Sequence, residues 1–169
     1  YYRAEIDGLR AVAILPVILY HTYSITFAKS GFLGVDIFFV ISGFLITNIL
    51  LNELLVTKKI SLFNFYNRRI RRIIPALFFV TIISIYPAYK LLFPFTFNNF
   101  GQSLMGVSTL LPNIIFILQG GYFAESGALK PLLHTWSLGV EEQFYFFFPL
   151  FLIIFWKILK KNIIIIIII

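Results

Sequence analysis

The sequence predicts an all-α fold, a multi-pass transmembrane bundle of about five helices. Two observations predict it. First, 60% of the 169 residues are hydrophobic and 12% are charged, where a soluble globular domain carries about 45–50% apolar and about 25% charged residues. Second, the apolar residues gather into runs close to the roughly 20 residues a helix needs to cross hydrocarbon. Lipid offers a backbone no hydrogen-bond partner, so such runs must satisfy themselves as helices.

Taken in order, the first predicted segment runs from about Leu9 to Ala28 and the second from Phe32 to Leu51. It holds Arg10 and lacks a small-residue cleavage pattern, so the first is not read as a signal peptide. A polar, amphipathic connection is expected from Asn52 to Arg72, followed by a third segment from Ile73 to Phe93. The fourth, Phe100 to Leu118, is the weakest, because Gln102, Ser103, Pro112 and Asn113 interrupt it. A loop from Gln119 to Pro131 leads into a fifth segment, Leu132 to Leu159. Residues 161–169 close on seven consecutive isoleucines and read as a low-complexity tail, a truncation or sequence artefact, on which no function is built.

The net charge of +7 sits in clusters between apolar runs, the pattern of cytoplasmic loops and not of a nucleic-acid surface. No nucleic-acid partner is expected; the lipid bilayer is. Without cysteine there is no disulfide, zinc-thiolate site or thiol nucleophile, and no ligand cluster calls for a metal. Arg68, Arg69, Arg71 and Arg72, with Lys58 and Lys59, form the strongest basic cluster and place that connection, and with it the N-terminus, in the cytoplasm. Strict alternation would then leave Lys157, Lys160 and Lys161 outside, against the same rule. A broken or re-entrant segment three or four would remove the conflict, with Pro87, Pro94 and Pro112 as break points.

Ionisable groups inside apolar runs cost free energy and mark candidate sites. Arg10 and His21 stand eleven positions apart, almost three helical turns, so both project from one face. Arg10 also fits a snorkelling anchor, and His21 a polar contact near the outer interface. Asp36, after a short turn, is placed to lie near His21 and raise its basicity; it equally fits a helix N-terminus, where the dipole favours an acid. Gly34 and Gly43 would permit close helix approach. Arg69 and Arg72, at i and i+3 on one face of an expected helix, suit either bidentate phosphate binding or plain topology and anionic lipid. His134, Glu141 and Tyr145 fall on one helical face, with Glu142 and Gln143 beside them. Two acids entering an apolar run suggest a wet cavity, while Trp136 and Tyr145 also fit an interfacial belt.

Several stretches together resemble the acyltransferase-3 family of polytopic membrane O-acyltransferases. They are Glu5-Ile-Asp-Gly-Leu-Arg10, the Arg10 to His21 spacing, Gly31 through Thr47, Arg68-Arg-Ile-Arg-Arg-Ile-Ile-Pro-Ala76, and His134-Thr-Trp-Ser-Leu-Gly-Val-Glu-Glu-Gln-Phe-Tyr145, in the family's order. Residues 1–160 are then the expected N-terminal half of the catalytic domain, truncated relative to the family, whose unit carries a second set of helices. The resemblance implies transfer of an acyl group, usually acetyl, from acyl-CoA to a carbohydrate hydroxyl at the cytoplasmic membrane of a bacterium. Surface polysaccharide, lipopolysaccharide and peptidoglycan are the acceptors it implies. It makes His21 the catalytic residue, links Arg69 and Arg72 to acyl-CoA, and puts the Glu-x-x-Phe-Tyr motif on Glu141, Phe144 and Tyr145.

The expected mechanism is direct transfer with His21 as general base, oriented by Asp36 or Glu141. Arg69 and Arg72 would clamp CoA phosphates and Arg10 would line the route, with Trp136, Glu142 and Tyr145 around the substrate. An acyl-His21 relay is the alternative chemistry. A non-enzymic transporter or flippase, or an inactive fragment, are the alternative functions.

Overall fold

The computed structural model describes residues 4–22, 30–120 and 129–159. All its described secondary structure is helical: α1 (Ala4–Thr22), α2 (Leu33–Thr57), α3 (Leu62–Leu91), α4 (Pro94–Ser108), α5 (Pro112–Leu118) and α6 (Thr135–Leu159). Among the described residues, three stretches are long and apolar enough to cross a membrane: Leu33–Thr57, Leu62–Leu91 and Thr135–Ile158. The chain divides into two units, Tyr1–Lys59 and Ile60–Ile169.

The first unit is α1 packed on α2. Glu5 and Asp7 occupy the first turn of α1, where the positive end of the helix dipole favours them. The contact is built from small residues. Ala13 is fully buried, and a carbon added at Gly34 would strike the carbonyl oxygen of Ala13 and come within 2.8 Å of Val17 Cγ2. Gly31 meets the Pro16 carbonyl oxygen in the same way. Lipid supplies no hydrophobic drive between helices, so such close backbone approach is what van der Waals packing needs. Gly34 fulfils its expected role. Gly43 does not, since nothing lies within 4 Å of a carbon added there.

The polar stretch read as a connection from Asn52 to Arg72 is mostly helix. α2 continues to Thr57 and α3 begins at Leu62. Polar side chains there bond along the helix: Asn52 Nδ2 donates to Asn48 Oδ1 at 3.3 Å, and Arg71 Nε to Asn67 Oδ1 at 3.0 Å. The break comes at Lys58, whose backbone turns left-handed (φ 59°) and donates its N–H to Leu54, while its ammonium bonds the Leu55 carbonyl at 2.7 Å. A cation closing a helix C-terminus satisfies orphan carbonyls and the dipole together.

In the second unit Pro87 lies inside α3 without ending it. Pro94 and Pro112 do act as boundaries, each opening a helix, where the missing N–H costs nothing. The predicted fourth segment, Phe100 to Leu118, is therefore two helices of 15 and 7 residues. Neither reaches the roughly 20 residues of a crossing. Buried Ala88, Phe100, Val107, Phe116 and Leu132 form the apolar core where α3, α4, α5 and the approach to α6 meet. The outer face of α3 exposes Phe78, Phe79, Ile82, Ile83 and Tyr86, a surface suited to hydrocarbon.

Gly34→Val is expected to destabilise the detergent-solubilised chain by about 1–3 kcal/mol through overpacking, read as a lowered thermal midpoint. Gly43→Ala should leave that midpoint unchanged or slightly raised, because it adds helix propensity without a clash.

Candidate functional site

The second unit gathers charged residues from two distant stretches of sequence. Arg69, on the second turn of α3, lies between two aromatic faces. Its guanidinium carbon is 5.6 Å from the Phe65 ring centroid and 5.2 Å from that of Tyr145 on α6. Such cation–π contacts gain strength away from water. Tyr66 fixes the same crossing of α3 and α6: its hydroxyl donates to the Phe146 carbonyl at 3.0 Å, and the two rings stack at 6.2 Å. Phe65 and Tyr145 are both buried, so the guanidinium is presented by packed rings.

On α6, one turn separates Glu141 from Tyr145, and the Tyr145 hydroxyl donates to Glu141 Oε1. Glu142 is half-buried beside them. Arg69 and both carboxylates are close enough for their charges to act on one another. Two atoms of the group are left over. Arg69 Nε and Glu142 Oε1 are buried and make no hydrogen bond. Unmet buried polar atoms are rare and call for an explanation.

The other expected site residues fall elsewhere. Arg72 is exposed while Arg69 is half-buried, so the two guanidiniums of the i, i+3 pair have different surroundings. His134 precedes α6, in a turn, and is exposed; it does not continue the helical face of Glu141 and Tyr145 as its spacing suggests. Trp136 packs against the apolar core of Ala88, Phe100, Val107, Phe116 and Leu132, a structural setting for a residue expected near substrate.

In the first unit, Arg10 is half-buried, 3.8 Å from Asp7 and with its guanidinium 5.9 Å from the Phe38 ring. Its Nε is also buried without a hydrogen bond. Asp36 stands in the first turn of α2 and is exposed, at the end of the helix where the dipole favours an acid. His21 lies on the last turn of α1; its side chain lies outside the described residues, as does the stretch 23–29 that would join it to Asp36.

Two polar arrangements escaped the sequence reading. Asn113 and Gln143 form a reciprocal amide pair, at 3.2 and 3.1 Å, that joins α5 to α6. Gly139 lets Pro112 approach beneath it, within 2.8 Å of where a side-chain carbon would sit. Gln119 ties α5 to α4 by donating to Asn99 O at 2.9 Å and Gln102 Oε1 at 3.1 Å, while Lys130 bonds the Gln119 carbonyl at 2.9 Å. Each residue shows in the sequence only as a polar interruption, with no spacing that pairs it to its partner.

A family model described as an acyltransferase domain of the acyltransferase-3 type matches residues 3–169. The chain is 40% identical over 145 residues to the O-acetyltransferase OatA of Staphylococcus aureus strain NCTC 8325, covering 85% of this chain and 24% of that one. It is 42% identical over 146 residues to the peptidoglycan O-acetyltransferase OatA of Listeria monocytogenes, covering 85% and 23%. A putative O-acetyltransferase, SAS0844 of Staphylococcus aureus strain MSSA476, is 39% identical over 144 residues. The chain thus spans about a quarter of the length of these relatives. No solved structure matches it.

Gln143→Leu should destabilise the chain by about 0.6–1.7 kcal/mol, the range of interhelical hydrogen bonds in membranes. The double variant Asn113→Leu/Gln143→Leu should recover most of that loss, since no amide is then left unmet. Thermal unfolding of both single variants and the double variant in detergent checks the coupling.

Proposed function

The chain belongs to the acyltransferase-3 family, and from that premise we propose that it works within an O-acyltransferase that moves an acetyl group from acetyl-CoA to a hydroxyl of a cell-surface glycan. The observation that carries this reading is the meeting of Arg69 with Tyr145 and Glu141. These residues come from the two family motifs that the sequence leaves far apart. The names of the relatives support acetyl as the group and, through the Listeria protein, peptidoglycan as the acceptor.

In the proposed step, the sugar hydroxyl oxygen attacks the thioester carbonyl as His21 takes its proton. The carbon–sulfur bond then breaks, and the proton passes from His21 to the departing thiolate. A neutral imidazole suits both transfers at neutral pH. Arg72, exposed on α3, is the better placed of the two arginines for a CoA phosphate, which is itself strongly hydrated. Arg10, on the same helix as His21, is braced by Asp7 and Phe38. The setting we propose is the cytoplasmic membrane of a bacterium, with the N-terminus and the arginine cluster on the cytoplasmic side.

His21→Ala in the intact protein is expected to lower acetyl transfer from acetyl-CoA to peptidoglycan by at least about 100-fold, the low end of a general base's contribution. Ester-linked acetate released from purified cell wall measures it. Undiminished acetylation would overturn the role of His21. Glycan export that continues without any acyl transfer, in the unaltered protein, would favour a transporter.

A further inference from the structure

We propose that Arg69 and Glu142 hold a secondary amide of a substrate between them, Arg69 Nε donating to its carbonyl oxygen and Glu142 Oε1 accepting from its N–H. The inference deepens the acyltransferase reading and rests on it. It starts from the two unmet atoms. Arg69 Nε is a buried donor and Glu142 Oε1 a buried acceptor, each without a hydrogen bond. The residues carry opposite charges that act on each other, yet among the described residues they form no ion pair. Arg69 sits 5.2 Å from the Tyr145 ring, and Glu142 lies three residues before Tyr145 on α6, so the unmet donor and the unmet acceptor belong to one crossing and a single small group can serve both.

The chemistry of that position is restrictive. An anionic group such as phosphate would bond Arg69 but face Glu142, with Glu141 close by, and a second negative charge there is disfavoured. A cation would face Arg69. The position therefore takes a neutral group with a donor at one end and an acceptor at the other. A secondary amide has that form, its N–H and C=O pointing in opposite directions. Tyr145 supports the geometry, since its ring holds the guanidinium while its hydroxyl occupies Glu141, leaving Glu142 as the carboxylate with an unused oxygen. Two substrates of the proposed reaction carry such an amide: the pantetheine arm of the donor and the N-acetyl group of an amino-sugar acceptor.

The test is binding to the full chain in detergent with three probes: coenzyme A, adenosine 3′,5′-bisphosphate, which has phosphates but no amide, and an N-acetylglucosamine oligosaccharide. If the amide belongs to the donor, Glu142→Leu should weaken coenzyme A about tenfold and leave the bisphosphate within about twofold. If it belongs to the acceptor, the oligosaccharide should weaken about tenfold and coenzyme A should hold. Glu142→Gln retains an acceptor oxygen and should keep the wild-type affinities. Should Glu142→Leu fail to fold, Arg69→Lys, which keeps the charge but removes the Nε donor, carries the same expectation. Unchanged affinity of Glu142→Leu for both coenzyme A and the oligosaccharide overturns the inference. If the wild-type chain binds neither coenzyme A nor the bisphosphate, the donor reading fails, and the oligosaccharide arm still decides the amide site. A wild-type chain that binds none of the three overturns both.

Discussion

A guanidinium inside a helical membrane protein needs company, and the second unit is arranged around supplying it to Arg69. Removing a guanidinium from water is costly unless it is paired. The rings of Phe65 and Tyr145 and the carboxylates of Glu141 and Glu142 offset that cost. The compensation is incomplete, since Arg69 Nε and Glu142 Oε1 are both unmet. A group that satisfied them would bind without having to displace an existing contact. Tyr66, which pins the same crossing by bonding the Phe146 carbonyl, keeps the rings in place whether or not that group is present.

The two units use different means to bring helices together. α1 and α2 meet through absence of side chain, at Ala13, Gly31 and Gly34. α5 and α6 meet through both devices: Gly139 against Pro112, and the amide pair of Asn113 with Gln143. Interhelical hydrogen bonds in membranes are individually modest, but they have direction. The amide pair lies two residues from Glu141 and next to Glu142 in sequence, so it sets the rotation of α6 about its axis. That rotation decides whether the carboxylates face Arg69.

Much of this was legible in the sequence. Hydrophobic runs located α2, α3 and α6, because length and composition alone decide a span. The motifs of Arg69 and Glu141–Tyr145 marked the residues that the structure brings together. Other features were illegible for identifiable reasons. Apart from the helix expected around Arg69 and Arg72, the stretch 52–72 looked like a connection because hydropathy averages over a window, and it cannot see that Asn52 and Arg71 satisfy themselves one turn back. Gly43 looked like Gly34, because a glycine's worth depends on what lies opposite it. Trp136 stands near Glu141 in sequence, and nothing in its spacing shows that it also packs against the apolar core. His134 matched a helical face by spacing, but the helix starts one residue too late to include it.

The short α4 and α5 also bear on the misplaced lysines. α3 and the stretch that leads into and through α6 are linked at two levels. Arg69 and Tyr66, near the start of α3, meet Tyr145 and Phe146 on α6. Ala88 and Leu92, at the far end of α3, share a core with Leu132, Leu133 and Trp136, where α6 begins. The residue numbers rise along one helix as they fall along the other, so the two run antiparallel. With 15 and 7 residues, α4 and α5 are each shorter than a crossing, and α6 starts at the end at which α3 left. Lys157, in the last turn of α6, then lies on the same side as Arg68–Arg72, which is the arrangement the positive-inside rule requires. The conflict came from treating Phe100–Leu118 as a crossing, and Pro112, which splits that segment, is the residue that removes it.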